Sequence, residues 1–387
     1  MASDRDDVIV ARIPSDVVDY KILPRLPYKS LSRFKSICKK WYHLISHDIV
    51  FAHEQSRHGS PISFGYVYQH KHSIDFIPID IPGELNVCIT NSSFFSLPIG
   101  AECIRITAVV DGLLLLFLQR KSDEQNDSMC SINYPDAIGK FHYVWNLVTK
   151  EGHVIPKTDR HCWFVGLAFD PWITPACYKL VNLVQRRKGL REEFSFDVYS
   201  SRTGKWTMSD HKVVIPKGTR RTLWNIFCAG RIIYWASNPY VLWFDVEKDV
   251  AGYTLLPQLE ALGGSRHVLG ATNDGTLTST HMLQHSAITV WMMSEDGDWV
   301  KKVSLENVPT VSSEFKLFIP LPFTGGDRIY MEMLSYCMSK RILVCYNMST
   351  REMTMIGEMK DVWPPSKCLY IDYNRIARLG SLGVTEC

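Results

Sequence analysis

The chain has 387 residues, 46% of them apolar and 12% aromatic, with a formal net charge of +3. That composition excludes a disordered or collagen-like chain and predicts order nearly throughout, in two domains or one large closed all-β array. Eleven cysteines, an odd number with no C-x-x-C pair, predict reduced thiols rather than a disulfide framework, and they supply no zinc ligand set.

Residues 1–12 read as a flexible terminus, and residues 1–7 are polar and acidic, so no secretory signal is expected there. From 13 to 58 the pattern is helical. Pro14-Ser15-Asp16 opens a first segment whose apolar positions are Val17, Val18, Ile22, Leu23 and Leu26, and Pro27 stops it. From Ser30 the residues Leu31, Phe34, Ile37, Cys38, Trp41, Leu44 and Ile45 recur at three- and four-residue steps, which predicts one amphipathic helix. A third, shorter helix is expected over residues 48–57, anchored by Phe51 and Ala52.

The positive charge gathers in this head. Residues 11–45 hold eight Lys and Arg against Asp16 and Asp19, a local charge of +6 that leaves about −3 for the remainder. A basic surface suits an acidic protein partner. Without interleaved aromatics for stacking, nucleic acid is not an expected partner. Three short helices make a small core, so an apolar face left for another protein is physically reasonable, and the alternative is a plain helical cap packed on the second domain. Trp41 reads as a core residue before it reads as an interface anchor.

The head closely resembles the F-box. The resemblance lies in Ile13-Pro14-Ser15-Asp16-Val17-Val18, Ile22-Leu23-Pro24-Arg25-Leu26-Pro27, Lys29-Ser30-Leu31, Arg33-Phe34-Lys35, Cys38-Lys39-Lys40-Trp41 and Leu44-Ile45-Ser46. It implies docking onto a Skp-family linker protein, and through it onto a cullin-RING ubiquitin ligase. The residues at the motif positions are Pro14, Asp16, Val17, Ile22, Leu23, Leu26, Pro27, Leu31, Phe34, Cys38 and Trp41. One departure stands out. Around Asp19-Tyr20-Lys21 the chain carries one residue more than the usual spacing, which would turn later residues by about 100° if a regular helix took it up; a local bulge would restore the register.

From residue 59 to 387 the chain repeats a theme of apolar strand, turn, aromatic strand, polar turn and return strand. The run at residues 113–118 is too short to cross a bilayer and reads as a buried strand, so no membrane partner is expected. The equivalent positions Trp145, Tyr199, Phe244, Trp291 and Tyr346 are 54, 45, 47 and 55 residues apart, the period of propeller blades. Five blades are visible, and leftover strands at residues 62–81 and 366–375 would close the ring if paired. The expected fold is therefore a small all-α F-box of three helices followed by an all-β propeller of six blades, or seven. Residues 104–356 also resemble the F-box-associated domain of plant F-box proteins, a kelch-like propeller, through Val144-Trp145-Asn146, Phe169-Asp170-Pro171 with Tyr178-Lys179, Val198-Tyr199-Ser200 with Trp206, and Ile233-Tyr234-Trp235.

Chemistry-bearing motifs are absent. No phosphate loop, dinucleotide fingerprint or nucleophile elbow is present, and Gly263-Gly264-Ser265-Arg266-His267 reads as a loop. His53 and His58 are five residues apart, about 140° around a helix, and His43 with His47 lacks a third ligand, so neither a metal nor a cofactor is expected. The basic loop Arg186-Arg187-Lys188 with Arg191, and Arg220-Arg221, are candidates for binding an acidic or phosphorylated segment of a target protein. The resulting expectation is a non-catalytic substrate receptor of a ubiquitin ligase, soluble, in the nucleus or cytoplasm. Its rivals are a propeller enzyme or sugar-binding protein with a helical cap, and a competitor that binds the linker without recruiting a target.

Overall fold

Pro14 starts the helical head, because its ring holds φ at −54° and its carbonyl accepts the amides of Val17 and Val18 at 3.1 and 3.2 Å. The short helix α1 (Ser15–Val17) runs without a break into a π turn, Val18–Ile22. That turn is closed by the Leu23 N–H donating to the Val18 carbonyl five residues back, and a 3₁₀ turn, Leu23–Arg25, follows. The extra residue seen in the sequence is thus absorbed as a single wide turn. The computed structural model describes residues 13–26, 28–48, 50–51, 54–55, 64–69, 74–79, 101–110, 113–120, 140–146, 152–158, 160, 164–170, 177–216, 225–229, 231–237, 239–257, 267–272, 275–283, 287–306, 308, 314–335, 340–359 and 369–372.

The single helix expected from Ser30 onward is two, α2 (Tyr28–Phe34) and α3 (Lys39–His47). Cys38 breaks the run by taking an extended backbone, and its Sγ caps α3 by accepting the Trp41 N–H at 3.4 Å. Apolar periodicity survives this break because both helices pack on one core. Leu23, Leu31, Leu44 and Phe51 are buried there, with Val18, Tyr20, Leu26, Phe34, Trp41 and Ile45 against them. Residues 50–51 and 54–55 are helical, inside the third stretch expected, and Asp48 Oδ1 accepts the Phe51 N–H at 2.8 Å.

Strands β1 (Phe64–Gln69) and β2 (Ile74–Ile79) pair first. The first four-stranded antiparallel sheet follows as β3 (Ala101–Val110), β4 (Leu113–Arg120), β5 (Lys140–Asn146) and β6 (Gly152–Val154). The second is β7 (Val165–Asp170), β8 (Cys177–Lys188), β9 (Arg191–Ser200) and β10 (Lys205–Pro216); the third is β11 (Asn225–Ala229), β12 (Ile232–Ser237), β13 (Tyr240–Asp245) and β14 (Val250–Leu255). The fourth is β15 (His267–Ala271), β16 (Leu277–Leu283), β17 (Ala287–Met293) and β18 (Trp299–Leu305), and the fifth is β19 (Phe315–Pro320), β20 (Arg328–Ser335), β21 (Arg341–Asn347) and β22 (Glu352–Met359). Last comes β23 (Leu369–Asp372), which pairs antiparallel with β1 from Phe64–Asp372 to Val67–Leu369.

The repeat positions read from the sequence hold, since Trp145, Tyr199, Phe244, Trp291 and Tyr346 each lie on the third strand of a sheet. Each third strand then turns into its fourth through a left-handed residue in four of the blades: Gly204 at φ +66°, Asp249 at +53°, Gly297 at +87° and Arg351 at +61°. The polar residue that closes the third strand shapes two of these turns. Asp245 Oδ1 accepts the amides of Glu247 and Lys248, and Asn347 Oδ1 accepts those of Ser349 and Thr350.

Apolar cores sit between neighbouring blades. Leu113, Leu115 and Val144 of the first meet Leu167, Phe169 and Leu180 of the second, and Phe194 and Phe196 of the second meet Trp235, Leu242 and Phe244 of the third. Around the ring β3 meets β7, β7 meets β11, β11 meets β15 and β16 meets β19, while β2 meets β22 and β23 meets β3. The count of six or seven blades is corrected: the described residues form five four-stranded blades and one three-stranded sheet, β2-β1-β23, shared by the two halves of the chain's strand region.

Candidate protein-docking site

The helical head has its own core and still presents apolar residues outward. Of the predicted linker-contacting residues, Pro14 and Asp16 are exposed, and Val17 and Ile22 are 37% and 40% exposed. Cys38 is exposed, and Leu26, Phe34 and Trp41 are half-buried. Leu23 and Leu31 lie inside the core, at 2% and 0% exposure, and offer no surface. Pro27 lies outside the described residues. The sequence pattern did not separate these classes, because the residues facing in and those facing out are apolar alike.

Trp41 joins the head's parts. Its ring lies 5.6 Å from Phe34 between centroids, and its Nε1 donates to Asp19 Oδ1 at 3.1 Å. Asp19 is only 4% exposed, yet it also pairs with Lys40 Nζ at 2.5 Å and accepts from Ser15 Oγ at 3.4 Å. Its carboxylate holds Lys40 above the ordinary lysine range through that hydrogen bond. Tyr20 OH donates to Asp48 Oδ2 at 3.1 Å, which raises the Tyr20 hydroxyl's pKa. Asp19 was missing from the predicted site, although the extra residue around Asp19-Tyr20-Lys21 was the signal that marked it.

The second candidate surface is a hairpin and not the loop expected from its charge. Strand β8 pairs with β7 only from Cys177 to Asn182, and beyond that β8, β9 and β10 run on as a three-stranded ribbon. One face of the ribbon, through Leu183, Phe194, Phe196, Val213 and Ile215, packs on the third blade. The tip is the two-residue turn Gly189-Leu190, with the glycine at φ +62° in first place as a type II′ turn requires. Leu190 is 84% exposed there, between exposed Arg186 and Arg191.

The register sets Arg186 opposite Glu193, Arg187 opposite Glu192 and Lys188 opposite Arg191. Pro216, at the end of β10, is opposite Arg191 as well. The side chains of Arg187 and Lys188, and all of Arg220 and Arg221, lie outside the described residues.

Buried polar groups occur inside the blades. Glu332 and Arg341 pair at 3.2 Å in the fifth, where burial pushes the Glu332 carboxyl up to about 7 against the pull of Arg341. In the fourth, His267 and His281 have ring centroids 5.0 Å apart, and Ser279 Oγ lies 3.0 Å from His267 Nδ1. Among the described residues no three His, Cys, Asp or Glu side chains gather as a metal site would need, and no helix is long and apolar enough to cross a membrane.

Known proteins resemble this chain across most of its length. It is 28% identical over 316 residues to the F-box protein At5g49610 of Arabidopsis thaliana, covering 74% of this chain and 76% of that protein. It is 26% identical over 275 residues to the F-box protein At5g07610 of the same plant, covering 67% of this chain and 58% of that one. Among solved structures, the periplasmic gluconolactonase PpgL of Pseudomonas aeruginosa covers 80% of this chain and matches over 99% of its own, at 11% identity and a TM-score of 0.39. A likeness of that size carries no argument about chemistry. The matching family model spans residues 79–376, and its description names a β-propeller with no mention of kelch repeats. The chain, with its helical head and its ring of repeated sheets, belongs to the plant F-box propeller family described as F-box protein At3g26010-like, beta-propeller.

Proposed function

We propose that this chain is the substrate receptor of a Skp-cullin-F-box ubiquitin ligase, with the head docked on a Skp-family linker and the propeller holding the protein to be modified. It contributes no catalytic group. Its effect is to raise the local concentration of a target beside a ubiquitin-transfer machinery supplied by the other subunits. Such a role belongs to the nucleus or cytoplasm.

One observation carries the reading: a head whose core is already filled by Leu23, Leu31, Leu44 and Phe51 still leaves Val17 and Ile22 exposed. Unpartnered apolar groups of that kind are the usual core of a protein interface. Pro14, Asp16 and the half-buried Leu26, Phe34 and Trp41 would complete the contact. For the target we favour the basic end of the second blade, where Arg186 and Arg191 flank Leu190, with Arg187, Lys188, Arg220 and Arg221 added from the sequence. An acidic or phosphorylated segment is the chemistry that suits it.

The test is co-purification of the full chain with a Skp-family linker, against a chain lacking residues 1–58 and the double variant Val17→Asp/Ile22→Asp. Recovery should be lost in both, and equal recovery from all three would remove the docking reading. For the target site, proximity labelling should lose its leading proteins when Arg186→Glu/Arg191→Glu replaces the natural chain; an unchanged set would show that this end of the blade is not used.

A further inference from the structure

We propose that Asp19 is a positioning residue for linker docking: its buried carboxylate clasps the π turn, so that the chain's extra residue leaves Val17 and Ile22 on one exposed face. The inference rests on the proposed docking of the head. In a regular α-helix two residues five apart sit about 140° from one another, so Val17 and Ile22 would diverge. Closure of an i→i+5 turn between them, by Leu23 N–H on the Val18 carbonyl, brings them back into line. The inward residues benefit equally, since Val18 and Leu23 both reach the head's core.

A π turn is rare and needs support from its surroundings. Here two consecutive residues of the turn are tied to the next elements. Asp19 accepts from Trp41 Nε1 at 3.1 Å and pairs with Lys40 at 2.5 Å, both on α3, and Tyr20 OH reaches Asp48 at 3.1 Å just beyond it. Ser15 Oγ, one α-helical turn earlier, adds a bond of 3.4 Å to the same carboxylate. A carboxylate taken this far out of water, with three partners converging on it, is a fixed point. The wide turn is held against α3 by it, and the orientation of Val17 and Ile22 follows.

The experiment is calorimetric titration of full-length variants with a purified Skp-family linker. Asp19→Ala should weaken binding about tenfold or more, the size expected for loss of hydrogen bonds to a charged group. Asp19→Asn keeps an oxygen for Trp41 Nε1 and should stay within about threefold. Deleting Lys21, which is exposed, removes the surplus residue, puts Val17 and Ile22 four apart on an ordinary helical turn, and should leave binding intact. The decisive arm combines that deletion with Asp19→Ala: with no wide turn to hold, binding should recover. Wild-type affinity for Asp19→Ala, or a loss that the deletion does not recover, overturns the inference. Val17→Asp separates the two readings. If it binds as tightly as the natural chain, the docking face itself is wrong; if it fails while Asp19→Ala binds normally, only the clasp is wrong.

Discussion

Two tryptophans illustrate how single side chains join one blade to the next. Trp206 Nε1 donates to the Pro156 carbonyl at 2.7 Å, and Trp299 Nε1 donates to the Leu255 carbonyl at 2.7 Å. Each tryptophan stands two residues after the left-handed glycine of its turn, Gly204 or Gly297, and each acceptor closes the preceding blade. Replacing either by Phe keeps most of the packing and leaves a carbonyl without its donor. We predict a loss of about 0.5–1.5 kcal/mol per site in denaturant unfolding, at the low end because the carbonyls are near solvent. A null result at both would mean water replaces the indole. Of the two, Trp206 was visible in the sequence as a member of a repeat. Their acceptors were not, because a main-chain carbonyl about 50 residues away carries no side-chain signature.

At the level of elements, the four left-handed turns are equivalent in place and unlike in residue. Glycine fills this position in two blades, while Asp249 and Arg351 adopt φ of +53° and +61°. A side chain in this region carries about 1–2 kcal/mol of strain, whereas glycine adds about 0.5–1 kcal/mol of unfolded-state entropy. Arg351→Gly is therefore expected to be neutral or to stabilise by under about 1 kcal/mol, and Gly297→Ala to destabilise by about 1 kcal/mol. Paired thermal melts of the two variants check the sign, and movement in the same direction would refute the account. The helical head shows the opposite case. Its apolar periodicity predicted one helix where the chain forms α2 and α3, because Cys38 stops the helix without disturbing which residues reach the core.

For the whole molecule, the closed ring buries titratable groups that charge less readily in it than in the open chain. Burial holds His142, His267 and His281 at about 4, below the ordinary 6.5, with His281 adding to the effect on His267. A depressed imidazole is neutral in the native state and takes up a proton on unfolding. Stability is therefore full above about pH 6.5 and is lost as pH falls toward 4, by about 1.4 kcal/mol per pH unit for each such group. The melting midpoint should be flat above pH 7 and drop through that window, and His142→Leu should make the drop shallower. Equal slopes for the two proteins would show that His142 charges freely in the folded ring.

The sequence by itself determined the boundary between helix and strand and the five-fold repeat, because each rests on local periodicity or on spacing along the chain; it offered the leftover strands for pairing, and the structure joined β1 to β23. It also marked where a residue was surplus in the first helix. The tertiary structure alone decided that the surplus becomes a π turn whose Asp19 is buried against α3, that Leu23 and Leu31 belong to the core while Val17 and Ile22 do not, and that the basic run near residue 186 sits at a hairpin tip. Those outcomes depend on which partners meet across long stretches of chain, and apolar or basic character at a position does not encode the direction a side chain will face.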